Sequence, residues 1–364
     1  MLSTSTQGLY TPRVAQMVAE QRNSGVMLHY SSFLVHQADL VDGICQREMF
    51  SELASKMGLG CGDVVLPYGR MDAVATYNDI ARILTDRRSV PPAVLVIEIP
   101  QRMSGTCMVF DDIKRVRALA TQFGVHMHMD GSRLIEVLPF YGRSAAEITG
   151  LFDSATFSFT EGLGAFSGAV LMGSAELVDR AKFWQARLGD STLLPSGYLD
   201  CKARYSSAVA SECFRHRFER LAKLVDVIRE DPSIKRDVRF LPEVISSGRV
   251  HVYLRGTEED LEAINEELCA SIGVRIWDDL RGPGFGSRFA SSDEDPWCYF
   301  EWTLGERNMQ ILDDVVLAAW TEFGRRLKAR QIRKRSPFIC ATNQTRPPST
   351  TADAFELHGS SIND

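Results

Sequence analysis

The chain has 364 residues, 45% hydrophobic and 24% charged, an ordinary globular composition long enough for two domains. Its 41 Lys and Arg stand against 47 Asp and Glu, and the net charge of −6 argues against binding a phosphate backbone. No apolar run reaches the roughly 18 residues of a membrane span, and the opening MLSTSTQGLY has no signal-peptide pattern. The expectation is a cytoplasmic protein with no nucleic-acid or membrane partner.

Residues 9–22 (LYTPRVAQMVAEQR) are predicted to form an amphipathic helix. Gly25 ends it, and a short apolar strand runs from Val26 to His29. Residues 93–98 (AVLVIE) are a continuous apolar run, as in a strand buried on both faces. A helix follows over 111–123, opened by Asp111 and Asp112 and closed by Gly124. Another strand spans 125–129, which makes a βαβ unit. Strands over 154–159 and 168–172 flank a glycine-rich turn, and a helix covers 175–188. Residues 1–204 are therefore expected to form a large α/β domain.

Further on, residues 205–229 read as one helix. Strands at 250–254 and 298–303 surround a helix at 258–270, and a last helix covers 308–328. The expectation is a small α+β domain over 205–328, then a disordered tail over 329–364. The eight cysteines are scattered with no C-x-x-C pair, and are expected to be reduced and mostly buried. His126 and His128 share a strand face, but two histidines are too few for a metal site.

Ligands of open α/β sheets bind beyond the carboxyl ends of strands. Two loops occupy such places. The first is His128-Met129-Asp130-Gly131-Ser132-Arg133-Leu134, where an Asp–Arg pair could serve either chemistry or the strand end alone. The second is Thr160-Glu161-Gly162-Leu163-Gly164-Ala165-Phe166-Ser167-Gly168, whose glycines allow a ligand close to the backbone.

Together the loops resemble the threonine aldolase / aromatic amino acid beta-eliminating lyase family of pyridoxal-phosphate enzymes. The family's LHLDGARL stands here as MHMDGSRL, and its SKGLGAPxGxxLxG as TEGLGAFSGAVLMG. Glu98-Ile99-Pro100-Gln101-Arg102 is similar to the ELPQR stretch of one branch, and Phe300-Glu301-Trp302-Thr303-Leu304-Gly305 is a further likeness. The resemblance runs from about residue 5 to 325. It implies a fold-type-I large domain, like aspartate aminotransferase, with a mostly parallel sheet and a small α+β domain. It implies a small-molecule substrate and a homodimer or homotetramer as well.

The resemblance also assigns roles. Asp130 would pair with the pyridine nitrogen of pyridoxal phosphate, with His128 as its neighbour. Arg133 would hold a substrate carboxylate or an active-site oxygen, with Arg102 a further substrate contact. Phe33 or Ser32 falls where the family stacks a histidine on the ring, and of the two only Phe33 could stack. Ser5, Thr6 and Gly8 fall on the phosphate loop, ahead of a helix. The family's N-terminal arm before that loop is expected to be missing.

One departure outweighs these matches. The Schiff-base lysine falls on Glu161, and a carboxylate cannot form an imine. Three readings stay open. Glu161, Asp130 and His128 could line one cleft as acid and base of a lyase or isomerase that needs no lysine. The chain could still be a pyridoxal-phosphate-dependent carbon–carbon lyase. It could also be a non-catalytic regulatory partner. The cofactor is left open, with pyridoxal phosphate implied by the resemblance but not as a lysine Schiff base. Whether Glu161 faces an open cleft or pairs with Arg102, Arg133 or Arg187 discriminates among the three.

Overall fold

The computed structural model describes residues 2–4, 25–29, 65–69, 74–86, 92–101, 105–187, 195–282 and 296–335. Strands β1 (Leu2–Thr4), β2 (Gly25–His29) and β3 (Val65–Tyr68) precede helix α1 (Tyr77–Thr85). Then come β4 (Pro92–Glu98), α2 (Phe110–Phe123), β5 (His126–Asp130), α3 (Leu134–Tyr141) and α4 (Ala145–Thr149). β6 (Ser154–Ser158), β7 (Ala169–Met172), α5 (Ala175–Arg187), α6 (Pro195–Ala210) and α7 (Cys213–Glu230) follow. β8 (Val238–Leu241), β9 (Arg249–Arg255), α8 (Glu258–Ile272), β10 (Trp297–Thr303) and α9 (Asp313–Arg335) complete the described chain.

These strands form two sheets. The larger has the order β1-β7-β6-β5-β4-β2-β3. Its centre is parallel, while β7 pairs antiparallel with both β6 and β1. A parallel centre covered by helices explains the apolar run at 93–98, because every residue of β4 after Pro92 is buried. Leu95, Ile97, Met127 and Met129 pack there with Ile113, Val116 and Ala120 of α2. That helix closes on Gly124, whose φ of 64° is the left-handed stop that glycine adopts at little cost.

The smaller sheet is antiparallel, in the order β10-β9-β8. Val250, Val252, Leu254 and Phe300 pack against Ile264, Leu268, Trp320 and Phe323 of α8 and α9. The two parts meet where the Ser246 hydroxyl donates to the Gly105 carbonyl at 2.9 Å, in a buried bond. Phe140 of α3 also meets Phe218 of α7 edge to face, with centroids 6.5 Å apart.

The structure departs from the sequence reading in two helices. The helix expected at 205–229 is two, α6 and α7, broken at Glu212, whose φ of 48° is left-handed. The last helix does not end near 328 but runs to Arg335. Three of its basic residues are anchored to neighbouring elements. Arg326 and Arg330 both pair with Glu267 of α8, and Lys328 donates to the Pro232 carbonyl at 3.0 Å. The helix expected at 9–22 and the tail after 335 lie outside the described residues. Five cysteines are described and all are free, with Cys107, Cys201 and Cys298 buried. No helix among the described residues is long and apolar enough to cross a membrane.

Candidate active site

The end of β5 is closed by its own hydrogen bonds. Asp130 Oδ1 accepts from the Ser132 hydroxyl at 2.6 Å and the Ser132 amide at 3.1 Å, an Asx turn that carries the chain into α3. A Cβ on Gly131 would lie 2.9 Å from the Thr156 carbonyl, so only glycine fits this approach of β5 to β6. His128 is wholly buried, with Nδ1 2.7 Å from the Ser154 hydroxyl. Burial, with the nearby His126 adding to it, pushes its pKa down to about 3. It is therefore a neutral imidazole inside the sheet.

The turn after β6 begins with the Ser158 hydroxyl, which accepts from the Thr160 amide at 3.2 Å. Its far end is tied by the Ala165 amide donating to the Phe159 carbonyl at 3.0 Å. Gly162 lies directly on α3, where an added Cβ would come within 2.9 Å of Ile135 Cγ2. That contact aims Glu161 at the start of α3. Arg133 Nε donates to Glu161 Oε2 at 2.9 Å, with both side chains mostly buried.

Glu161 and Glu136 share the wall of a cavity of about 450 Å³ with Arg204, Arg217, Arg249 and Arg307. Glu136 projects from the first turn of α3 and is 7% exposed. Its Oε1 is 3.7 Å from Arg133 Nη1 and its Oε2 is 3.7 Å from Arg249 Nε. Both nitrogens are buried and neither makes a hydrogen bond. Arg249 also pairs with Glu301, whose other oxygen lies 3.6 Å from the buried His251 Nε2. A row of alternating charge thus runs from Glu161 through Arg133, Glu136 and Arg249 to Glu301.

Burial is the largest influence on Glu136 and raises its pKa to about 7. Arg133 opposes the rise, the charges of Glu301 and Glu161 add to it, and Arg217 draws it back. A carboxyl of that affinity is half protonated near neutral pH, which suits proton transfer.

The cavity takes in Glu161 but neither Asp130 nor His128. The expectation that these three line one cleft is therefore not met there, because His128 is sealed between strands and Asp130 is turned into its own loop. Arg133 pairs with Glu161, as one of the three expected arginines could. Arg102, Phe33, Ser5, Thr6 and Gly8 lie outside the described residues, as does the side chain of Arg187. Sequence reasoning missed Glu136, Arg204, Arg217, Arg249 and Arg307. Glu136 had a signal, a lone acid within the apolar Leu134-Ile135-Glu136-Val137-Leu138 run.

The mostly parallel large sheet and the small antiparallel sheet are the fold of the fold-type-I pyridoxal-phosphate enzymes. A crystal structure from Listeria monocytogenes, assigned as an L-allo-threonine aldolase, superposes with a TM-score of 0.72 at 23% identity. The match covers 89% of this chain and 81% of that one, and at this identity it speaks for the fold alone. The beta-eliminating lyase family matches residues 6–225, more than half of the sequence, and the chain belongs to that family. The aldolase vrtJ of Penicillium aethiopicum is 34% identical over 99 residues, 27% of this chain and 25% of that protein. The alanine racemase TOXG of Cochliobolus carbonum is 25% identical over 121 residues, 33% of this chain and 31% of that protein. The chain thus matches a third or less of each of these two relatives.

Proposed function

We propose that this protein is an enzyme of the threonine-aldolase lineage that acts on a small amino-acid-derived carboxylate without a Schiff-base lysine. Glu161 takes or returns the proton, and Arg133 holds its carboxylate in place. The observation that carries the reading is that Glu161, although paired with Arg133, still lies on the wall of a cavity whose described lining contains arginines and no lysine. A relative named as an alanine racemase and one named as an aldolase support an amino-acid-derived substrate.

Pyridoxal phosphate, the family's cofactor, asks for a carboxylate at its ring nitrogen and an amine at its aldehyde. Asp130, at the end of β5, has the chemistry for the first. Glu161, where the resemblance puts the lysine, cannot supply the second. The described residues therefore do not fit an imine-linked cofactor, and no proton step here runs through one. The assembly is a homodimer or homotetramer, as the resemblance implies.

The test is turnover of a panel of β-hydroxy-α-amino acids in D2O, followed by proton NMR. The expected result is cleavage or deuterium incorporation without added cofactor, reduced at least about a hundredfold in Glu161→Gln, the lower end for general acid–base catalysis. Turnover that requires added pyridoxal phosphate, or that survives Glu161→Gln, would overturn the reading.

A further inference from the structure

We propose that the cavity binds a small carboxylate-bearing anion together with one proton, and that Glu136 is the group that accepts this proton. The inference concerns binding and holds whether or not Glu161 turns over a substrate.

Three observations meet here. The first is charge. Four arginines on the cavity wall face three glutamates, and one of those, Glu306, is almost fully exposed at the rim. The planar guanidinium fork of arginine matches the two oxygens of a carboxylate. The second is an incomplete contact. Glu136 lies between Arg133 and Arg249 at 3.7 Å on either side, beyond hydrogen-bond reach, and both facing nitrogens are buried without a partner. Buried N–H groups left in this state are costly, so the arrangement favours a partner arriving. The third is position, because Glu136 is on the cavity wall and within the row of charges that links α3 to β9 and β10.

These facts produce the coupling. An ionised Glu136 repels an incoming carboxylate and competes with it for Arg249. A protonated Glu136 does neither, and its O–H can donate to the bound anion. The charged groups that set this balance come from every neighbouring element. Arg133 at the start of α3, Arg217 on α7 and Arg249 on β9 favour the ionised form. Glu161 on the loop after β6 and Glu301 on β10 favour the protonated form. Burial adds to the acids, so the carboxyl titrates at about pH 7, where one added negative charge nearby is enough to draw in a proton.

The experiment is isothermal titration calorimetry of the full chain with succinate. It is run at about pH 6, 7 and 8, each in two buffers of different ionisation enthalpy. The expected result is uptake of a fraction of one proton near pH 7. The succinate Kd should weaken about tenfold from pH 6 to pH 8, as linkage to one carboxyl at about 7 requires. Glu136→Gln, which keeps the shape of the side chain, should bind succinate with a pH-independent Kd and no proton uptake. The proposal is overturned by a wild-type protein that does not bind succinate at pH 6, or that binds it without proton uptake. Unchanged pH dependence in Glu136→Gln would overturn it too. None of these results depends on the turnover assay, so failure of one reading leaves the other standing.

Discussion

The end of β5 and the cavity wall are built from the same kinds of residue, acids next to cations or imidazoles, and they end in opposite states. At β5 the polar groups are filled. His128 is bonded to Ser154, and Asp130 accepts two bonds from Ser132. At the wall they are not. Arg133 Nη1 and Arg249 Nε are buried without hydrogen-bond partners, and Glu136 lies between them at 3.7 Å from each, in ion-pair range of both but beyond hydrogen-bond reach. The first arrangement fixes a strand end. The second leaves a carboxyl poised between two protonation states. The difference teaches that the residues most legible as chemistry in a sequence need not be those whose chemistry is left unfinished by the fold.

The contrast can be broken most forcefully at Arg133, which serves both acids of the wall. Arg133→Leu leaves Glu161 and Glu136 without their shared cation, and removing one partner of a buried pair costs about 3–5 kcal/mol. Urea unfolding measures this, and a loss below about 1 kcal/mol would mean that the pair behaves like an exposed one.

The next effect is the pH dependence of stability. Glu136 has a native pKa of about 7, above the ordinary value of 4.5. The folded state therefore holds a proton that the unfolded state has released between those values. Its contribution is fully present below pH 4.5 and is lost as pH rises through about 7. The magnitude is on the order of 3 kcal/mol. Glu136→Gln should flatten stability across this window, and unfolding free energies at several pH values would show whether it does.

Two smaller changes separate the regions. Gly162→Ala places a Cβ 2.9 Å from Ile135, which should cost about 1–3 kcal/mol and disturb the Glu161 turn. Ser154→Ala removes a partner of His128 in the filled region and should cost about 1–2 kcal/mol. It should leave succinate binding unchanged. Thermal unfolding and calorimetry on the two variants would sharpen the comparison, and a loss of binding in Ser154→Ala would join regions that this account separates.

Much of the frame was legible because its signals are local. The Ala93–Glu98 run, the acid start and glycine stop of α2, and the Asp130-Gly131 turn all follow from neighbouring residues. Glu161 was legible through the spacing of the glycines around it. The wall was harder to read, since Arg249 meets Glu136 only once the small sheet has come up to the large part of the fold, far along the chain. Arg217 sits among other charged residues of α7, and nothing in that pattern marks it out. Likewise, the break between α6 and α7 depends on one left-handed residue, Glu212, which no glycine announces.

The central claim is that a carboxylate stands where this lineage forms its imine. It is tested most directly by mixing pyridoxal phosphate with the wild-type protein and with Glu161→Lys, reducing both with borohydride, and measuring intact mass. The account predicts no stoichiometric mass gain in the wild type and a gain of one pyridoxyl group in Glu161→Lys, mapped to position 161. A stoichiometric adduct on a wild-type lysine would contradict it.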